Sequence, residues 1–570
     1  MKDHNKNNQY IHLYSTQGKA LGGTPWNVYP RPQLKRDSFF CLNGEWDFSA
    51  KGIVENTKIL VPFAPESLLS GVHMDMGKRP VLRYQRKFAL PEGFLKDRVL
   101  LHFGAVDQIS SVFLNGLLVG KHKGGYDAFS FDITDLLQDG ENILEVRVID
   151  DLESKILPWG KQKRNRGGMW YTPISGIWQS VWLESVPTNY VRALRIKTGL
   201  DWAEIIALGV ADGVLVLETP DGEKIVSMKK GRARIELDDA RLWSPEDPYL
   251  YHFSIEAGED RVESYFALRT IDVQIVNGYP RICLNGKPYF FHGVLDQGYF
   301  SDGLYTPASP TCYAEDILAM KSLGFNMLRK HIKVEPEQFY YDCDRLGMIV
   351  FQDMVNNGDY SFLRDTALPT AGVKKLNDTY LHRDQKCRAA FEEGMKKTVR
   401  QLFNHPCICY WTIFNEGWGQ FESDKMYDCL KKLDATRIID SASGWFRGKR
   451  SDVESVHIYF KPVRIKKSEK PIVLSEFGGY SYKPKGHVFN PYKTYGYRFF
   501  EEREEFERAL IELYEQEIIP AVGEGLCAAV YTQLSDVEDE TNGLLSYDRK
   551  IRKVAKAPMV RIAKRLKIEN

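Results

Sequence analysis

The chain has 570 residues, enough for several domains, and 43% of them are hydrophobic, so more than one core can form. Its 77 basic and 76 acidic side chains leave a formal charge of +1, so no overall field attracts it to nucleic acid or to an anionic membrane surface. We therefore expect no nucleic-acid or membrane partner, and a small molecule recognised by local contacts instead.

Nine cysteines are scattered along the chain, and no pair has the CxxC spacing typical of a zinc or redox site. Their odd number argues against a disulfide framework and favours buried free thiols. The first residues, MKDHNKNNQYIHLYSTQGK, lack the apolar segment of a signal peptide, and no run of about 18 apolar residues predicts a membrane span. We therefore expect a cytoplasmic protein without a metal or other cofactor, and leave homo-oligomerisation open.

Short strands and turns dominate the first third of the chain. The segment FLNGLLVGKHKGGYDAFSFDIT contains Asn-Gly and Gly-Gly turns between apolar runs, followed by alternation at Phe129, Phe131 and Ile133. About 150 residues of this pattern predict a β-sandwich, which we place in a first domain at 1–187. The β-rich stretch that follows has the size of one immunoglobulin-like β-sandwich and is assigned to a second domain at 188–272.

In residues 273–570 the pattern changes to apolar strands that alternate with amphipathic helices. Helical candidates include YAEDILAMKSLG, PEQFYYDCDRLG and FEEREEFERALIELYEQEII, and the glycine after each of the first two is a candidate C-cap. Eight strands with intervening helices in roughly 300 residues predict a (β/α)8 TIM barrel as the third domain. The candidate strands cover 290–296, 325–330, 348–354, 407–416, 437–443, 455–460, 471–477 and 526–536.

Two glutamates lie at the carboxyl ends of predicted barrel strands, where barrel enzymes carry their chemistry. Glu416 ends the fourth strand within CICYWTIFNEGWGQ, and Glu476 lies on the seventh within PIVLSEFGGY. Most carboxylates are solvated surface groups, but Asn415 and Trp418 beside Glu416 supply an amide and an aromatic face, which are typical of a sugar subsite. The pair therefore predicts acid/base and nucleophilic chemistry on a carbohydrate.

Other polar residues are predicted to converge on the same rim of the barrel. Each alone is more typical of a structural role, but as a ring they predict a polyol-binding pocket. They are Asp296 after the first strand, Arg329 and His331 after the second, Asp353 after the third, His457 and Tyr459 on the sixth, and Gln533 and Asp536 on the eighth.

These features resemble glycoside hydrolase family 2, the group of β-galactosidases, β-glucuronidases and β-mannosidases. The resemblance covers nearly the whole chain and implies an N-terminal jelly-roll sugar-binding domain, an immunoglobulin-like domain and a catalytic barrel, in that order. It is carried by LNGEWDF (42–48), VPFAPESLLSG (61–71), FLNGLLVGKHKGGYDAFSFDIT (113–134), WYTPISGIWQSVWLE (170–184), LWSPEDPYLY (242–251), GFNMLRKHIKVEP (324–336), FNEGWGQ (414–420), LSEFGG (474–479) and YTQLSDVEDETNGLL (531–545).

The resemblance implies a role for each matching residue. Glu416 matches the acid/base and Glu476 the nucleophile of a retaining mechanism, in which the first protonates the leaving oxygen while the second attacks the anomeric carbon. Asn415 matches the amide that holds the 2-hydroxyl, His331 a histidine lining the sugar site, and Tyr459 a hydroxyl near the nucleophile.

Two departures from the family pattern concern the sugar. Many β-galactosidases and β-glucuronidases carry an Asp six residues before the Gly of a Gly-Ile motif; here Gly176 is that Gly, and Trp170 stands at the earlier position. The Asn-x-Lys that binds the carboxylate in β-glucuronidases is replaced by VEDETNGLLSYDRK. A basic loop with Lys161, Lys163, Arg164 and Arg166 could still supply cations, although such a charge run is usually solvated.

The sequence therefore predicts an exo-acting, retaining β-glycosidase for terminal β-linked hexopyranosides, small or oligosaccharide, with a β-galactoside as the preferred sugar. A β-glucuronidase or β-mannosidase of the same family is the alternative. A non-catalytic carbohydrate-binding protein is disfavoured because both carboxylates are present.

Overall fold

The first β-sandwich consists of a four-stranded and a six-stranded antiparallel sheet in the computed structural model, which describes residues 10–219, 222–373 and 377–568. Burial alternates along strand Gly44–Ala50, so Trp46 and Phe48 face the core. The predicted Asn-Gly turn connects two paired strands, and both Asn115 and Gly116 have positive φ, as a tight hairpin requires. In spatial order the strands are Phe39–Cys41, Val181–Val186, Arg98–Phe103 and Phe129–Asp132 in one sheet, and Val54–Val61, Gly44–Ala50, Val81–Phe88, Asn142–Ile149, Ile109–Leu114 and Leu117–Lys123 in the other, with Val106–Asp107 and Gly176–Ile177 as a separate pair.

A second, smaller sandwich follows, with a three-stranded and a four-stranded antiparallel sheet around its own core. Strand Tyr251–Ala257 alternates between buried and exposed residues, and Phe253 and Ile255 lie in that core. The sheets contain Ala193–Thr198, Trp202–Leu208 and Arg232–Glu236, and Gly222–Met228, Gly213–Thr219, Tyr251–Ala257 and Asp260–Phe266. A short antiparallel sheet of Ile271–Val276, Tyr279–Leu284 and Lys287–Pro288 leads into the C-terminal region.

Eight parallel strands form a nearly closed barrel in the C-terminal region, and each overlaps one of the eight predicted strands. Numbered in chain order, the strands follow one another across the sheet as 5-4-3-2-1-8-7-6. The first strand therefore pairs with both the second and the eighth, and the barrel is open between the fifth and the sixth. This arrangement confirms the predicted fold class. The strands are Phe291–Asp296, Met327–Lys330, Ile349–Asp353, Ile408–Asn415, Ile438–Ser443, Glu454–Ile458, Ile472–Gly478 and Leu526–Thr532.

Helices surround the barrel. The α-helices of the described chain are Thr16–Lys19, Thr311–Ser322, Glu337–Leu346, Leu368–Thr370, Gln385–Leu402, Ser423–Leu433, Arg503–Leu513, Ile519–Gly523 and Lys556–Arg565. Gly347 ends the second barrel helix with a left-handed backbone, as predicted, and a Cβ there would meet the Pro245 carbonyl oxygen at 2.7 Å. Within the described residues, no helix is long and apolar enough to cross a membrane.

A buried ion network joins the two sandwiches. Arg36 donates to Asp260 of the second sandwich at 2.9 Å and to Glu184 of the first at 3.1 Å, and Arg31 also pairs with Glu184. The Glu184 side chain is fully buried. Burial favours its neutral acid, but the surrounding cations, Arg31 foremost, outweigh this effect and hold its pKa far below the ordinary value.

Replacing Glu184 with Gln removes the only carboxylate that Arg31 and Arg36 share among the described residues and leaves Arg36 with Asp260 alone, so we expect a loss of about 3–5 kcal/mol in the free energy of unfolding. Urea unfolding followed by tryptophan fluorescence measures it. Glu236→Gln, in an exposed pair with Arg234, is the matched control and should cost less than about 1 kcal/mol.

The Glu184 contribution should depend on pH. Because the folded pKa is depressed, the stabilisation is present above the unfolded pKa of about 4.3 and is lost as the pH falls through the folded value. Wild type and Glu184→Gln should therefore converge in acid. Equal stability of the two at pH 7 would contradict this account of the network.

Candidate active site

Glu416 and Glu476 both lie at the carboxyl-terminal rim of the barrel. Glu476 is on the seventh strand, and Glu416 directly follows the fourth. The backbone of Glu416 is left-handed, with φ +52°, which costs a non-glycine residue about 1–3 kcal/mol. Two backbone hydrogen bonds hold this conformation: Glu416 donates to the Ser443 carbonyl at 3.0 Å and Trp418 to the Asn415 carbonyl at 2.9 Å.

His457 lies between the two carboxylates. Its Nδ1 is 2.8 Å from Glu416 Oε1 and 3.6 Å from Glu476 Oε2, and one oxygen of each glutamate and this nitrogen all lie within 4.8 Å of one another. The other ring nitrogen is 3.0 Å from Ser443 Oγ. The same three atoms could ligate a metal ion, but the Glu476 carboxylate is already bound by a guanidinium and a phenol.

The guanidinium that binds Glu476 belongs to Arg329, and it connects three site residues. It is 1% exposed and donates to Asp353 Oδ1 at 3.0 Å, to Glu476 Oε1 at 3.1 Å and to Asn415 Oδ1 at 2.8 Å. Because a guanidinium is planar and always charged, it fixes these acceptors relative to one another. The remaining Asn415 donor, Nδ2, is buried and has no acceptor among the described residues.

The phenol that binds Glu476 belongs to Tyr459. Its hydroxyl donates to Glu476 Oε2 and lies 3.0 Å from Thr532 Oγ1. Its ring stacks on Tyr497, with the centroids 3.8 Å apart. Tyr459 follows the sixth strand rather than lying on it, since that strand ends at Ile458. The nucleophile candidate therefore receives one hydrogen bond on each oxygen.

His331 and Trp418 form the adjacent wall. His331 Nδ1 lies 2.7 Å from Asp353 Oδ2, so one carboxylate orients both His331 and Arg329. The Trp418 ring packs edge-on against His331, with the centroids 6.4 Å apart. Asp353 thus acts through its neighbours and is a positioning residue in this arrangement.

The two glutamates have environments that shift their pKa values in opposite directions. Burial raises the pKa of Glu416, and the Glu476 charge adds to the rise while His457 opposes it. Burial acts in the same sense on Glu476, but the charges of His457 and Arg329 outweigh it and lower the pKa. Of the two cationic groups, His457 and Arg329, only Arg329 is always charged. The two opposite shifts mean that Glu476 loses its proton at a lower pH than Glu416 does.

Three predicted rim residues are bound elsewhere. Asp296 accepts from Lys330 at 2.6 Å, and the Gln533 side-chain oxygen accepts from Gln297 at 2.7 Å. Asp536 accepts from Lys553 at 2.6 Å. Gln533 and Asp536 also lie beyond the eighth strand, which ends at Thr532. Asp296 thus links the ends of the first two strands, whereas Gln533 and Asp536 link segments outside the strands, and neither glutamate is among the hydrogen-bond partners of the three.

The basic loop of the first sandwich reaches the barrel, but its four cationic side chains have different partners. Arg164 pairs with the exposed Asp75 at 3.1 Å, and Arg166 with Glu538 at 3.1 Å. The Lys163 ammonium lies 3.8 Å from the centroid of the Trp170 ring. The Lys161 charge lowers the pKa of Glu416.

Trp170, which stands where the family pattern has an Asp, is part of an aromatic cluster rather than a polar contact. Its ring packs against Trp159 at 5.3 Å, Trp418 at 5.1 Å and Tyr360 at 4.8 Å between centroids. The first sandwich therefore contributes an apolar surface at this position.

Several site residues were not predicted from the sequence. Ser443, Ser455 and Ser475 lie on the fifth, sixth and seventh strands and hydrogen-bond to one another at 2.7–3.2 Å beneath His457. The sequence signal that could have identified them is a serine at an inward-facing position in each of these three strands. Tyr497 lies in an irregular loop, where no periodicity indicates which face it presents.

Three regions of the chain match descriptions of one family. Residues 44–187 match the sugar binding domain of glycosyl hydrolases family 2, residues 206–269 match a further region described by the family name alone, and residues 273–557 match the family's TIM barrel domain. The chain belongs to glycoside hydrolase family 2.

Curated relatives carry two names. The chain is 28% identical over 401 residues to a β-galactosidase of Aeromonas hydrophila, covering 64% of this chain and 36% of that one. It is 26% identical over 442 residues to a β-glucuronidase of Bacteroides fragilis, covering 70% of this chain and 60% of that one. The chain thus spans between about a third and three fifths of these relatives.

Solved structures share the fold at lower identity. The β-D-glucuronidase of Dictyoglomus thermophilum superposes with a TM-score of 0.71 at 18% identity, over 94% of this chain and 98% of that one. The common fold therefore extends over nearly the full length of both chains.

Glu476→Gln should lower the pKa of Glu416, because it removes a neighbouring negative charge that disfavours ionisation. Carbon-13 NMR titration of glutamate carboxyl groups, with Glu416→Gln to assign the resonance, measures the shift. A Glu416 pKa that is the same in both backgrounds would show that the two carboxylates do not interact. Glu337→Gln is a control for the loss of a half-buried carboxylate, also with a raised pKa, outside this pair.

Proposed function

We propose that the protein is a retaining β-glycosidase that acts on terminal β-linked hexopyranosides. The observation that carries the proposal is the approach of the Glu416 and Glu476 carboxylates, which have oxygens within 4.8 Å of each other. Retaining glycosidases hold their carboxyl groups about 5–5.5 Å apart, whereas inverting enzymes need about 6.5–9.5 Å to admit a water between them.

In the proposed reaction, Glu476 attacks the anomeric carbon and the bond to the aglycone oxygen breaks. Glu416 gives its proton to that oxygen, and the sugar is left covalently bound to Glu476. Ionised Glu416 then takes a proton from water, whose oxygen attacks the anomeric carbon and releases Glu476. The opposite pKa shifts of the two glutamates support this division of roles.

Other residues are proposed to position the groups that react. Arg329 and Tyr459 each bind one Glu476 oxygen, which aims the carboxylate and limits its protonation. The free Asn415 Nδ2 is suited to a sugar 2-hydroxyl, since its amide oxygen is held by Arg329. His331 and Trp418 are proposed to line the sugar site, and Asp353 to orient His331.

The sugar that the protein prefers is a separate part of the proposal. The missing Asn-x-Lys favours a neutral sugar, and a galactoside is the choice that the sequence supports, with a glucuronide and a mannoside as alternatives. The names of the curated relatives include both β-galactosidase and β-glucuronidase. Hydrolysis of p-nitrophenyl β-galactoside, β-glucoside, β-mannoside and β-glucuronide, compared as kcat/KM, ranks these sugars.

Glu476→Gln should abolish nearly all turnover, because no covalent intermediate can form. Glu416→Ala should lower kcat/KM on alkyl glycosides by about 10²–10⁴, and much less on dinitrophenyl glycosides, whose leaving groups need no proton. Steady-state kinetics on both substrate types measure the contrast. Azide should restore turnover of Glu416→Ala and give the β-glycosyl azide, since a small anion can replace the missing base at the same face.

Proton NMR of the first product provides an independent check, because retention releases the β-anomer before mutarotation. Release of the α-anomer would contradict the mechanism, and undiminished hydrolysis of alkyl glycosides by Glu416→Ala would require another acid. Glu422→Ala, a half-buried helix-cap residue outside the pair, is a control expected to keep wild-type rates.

A further inference from the structure

A cleft of about 240 Å³ lies between the second sandwich and the end of the barrel opposite the glutamate pair. Its lining includes Pro406, which precedes the fourth strand, and Arg437, which precedes the fifth. Glu416 follows the other end of the fourth strand, so roughly 25 Å of strand separates the cleft from the active site. The cleft is therefore a separate site.

Three cationic side chains line the cleft, and within the described residues no carboxylate does. The cations are Lys197 of the second sandwich, Arg269 of the segment that follows it, and Arg437 of the barrel. Arg437 pairs with Asp434 at 2.8 Å. In the part of the chain that the structure describes, no carboxylate oxygen lies within 4.0 Å of the Lys197 ammonium or the Arg269 guanidinium. The cleft therefore carries an excess of positive charge.

The two guanidinium groups converge on one backbone oxygen. Arg269 Nη2 donates to the Ile408 carbonyl oxygen at 2.6 Å, and Arg437 Nε donates to the same oxygen at 2.9 Å. Two like charges are thus held side by side at the base of the cleft. Because a single carboxylate, that of Asp434, is paired with them, an anion in the cleft would reduce their repulsion.

Arg269 has an unused donor at this point. The residue is 7% exposed, and its Nε donates to the Pro406 carbonyl oxygen at 2.9 Å. Its Nη1 donates to no acceptor among the described residues and is accessible from the cleft. Burial and the neighbouring Arg437 charge lower the pKa of Arg269. A buried guanidinium without a carboxylate is costly, so its position favours a bound anion.

The walls of the cleft are fixed and polar. The Asn404 side chain donates to the Leu194 carbonyl oxygen at 2.9 Å and accepts from the Ile196 backbone at 2.8 Å, which joins a strand of the second sandwich to the barrel. Threonine hydroxyl groups add further donors to the lining. Guanidinium and hydroxyl donors together are complementary to the oxygens of a phosphate group. The threonines are Thr198, Thr270 and Thr436.

We propose that this cleft binds a small oxyanion of the phosphate class, with Arg269 Nη1 as its inner donor and Lys197 on the solvent side. The volume lies below the roughly 300–1,000 Å³ of pockets for drug-sized ligands, so the occupant is a phosphate ion or the phosphate group of a small monoester. The bound anion would contact both the second sandwich and the barrel. This inference does not depend on the glycosidase proposal.

A purely structural role is the competing explanation for the two arginines. Their side chains bind the backbone carbonyl oxygens of the segment before the fourth strand, and this role accounts for Nε and Nη2 of Arg269. It does not account for the unused Nη1, for the nearby Lys197, or for a lining that has cations and, among the described residues, no carboxylate. Under that explanation the cleft would have no affinity for phosphate.

Isothermal titration calorimetry of the full chain with inorganic phosphate, glycerol 3-phosphate and glycerol, in chloride buffer at constant ionic strength, tests the proposal. At least one of the two phosphates should bind with a Kd of about 1 mM or lower, and glycerol should not bind. Tighter binding of inorganic phosphate identifies the free ion as the source, and tighter binding of glycerol 3-phosphate identifies a monoester. The absence of saturable binding of either up to about 10 mM would overturn the proposal.

Two substitutions locate the binding. Lys197→Glu reverses a charge at an exposed position and should weaken phosphate binding by about 5-fold or more. Arg269→Gln removes the unused donor and should weaken it by about 10-fold or more. Lys229→Glu, at an exposed position of the same sandwich outside the lining, is the matched control and should change the affinity by less than about 2-fold.

Glu476→Gln separates this cleft from the active site. It should leave the affinity for phosphate unchanged, because it acts at the other end of the barrel. Loss of binding in Glu476→Gln, or wild-type affinity in Lys197→Glu, would overturn the assignment to the cleft. If Arg269→Gln did not fold, the comparison of Lys197→Glu with Lys229→Glu would still decide.

Discussion

The Arg329 guanidinium is the interaction on which the site depends. It is buried in the barrel, and a charge in that position is tolerated only because Asp353, Glu476 and Asn415 accept its hydrogen bonds. These acceptors lie on or after the third, seventh and fourth strands, so one planar group sets the relative positions of three strand ends. A single buried charge therefore positions Glu476 directly, and Glu416 only through the adjacent Asn415.

That charge also explains why two glutamates a few ångströms apart are not equivalent. Arg329 and Tyr459 bind Glu476, whereas Glu416 is paired with His457 and faces the aromatic side of the pocket. Burial favours the neutral acid of both residues; the His457 and Arg329 charges outweigh this effect at Glu476, whereas His457 and Lys161 only reduce it at Glu416. The barrel scaffold thus distinguishes the proposed acid from the proposed nucleophile by their neighbours rather than by residue type.

The sequence predicted the strands better than it predicted the contacts between them. Apolar runs located all eight barrel strands, and their carboxyl ends located Glu416 and Glu476, because these signals are local. The partners of Asp296 and Gln533 are not local, and neither residue bonds to the glutamates. Likewise, a charge run does not show which of its four cations is buried, and Lys161 became distinct only when the loop was packed against the barrel.

The left-handed backbone of Glu416 has a consequence for the evolution and engineering of this fold. The residue combines an unfavourable φ with a buried carboxyl group, so the chain loses stability at the position of the proposed acid. A glycine at 416 would relieve both costs, while an alanine would relieve only the second. Inactive descendants of this protein would therefore tend to drift toward glycine there, and the retention of glutamate in a lineage would itself be a sign of selection for catalysis.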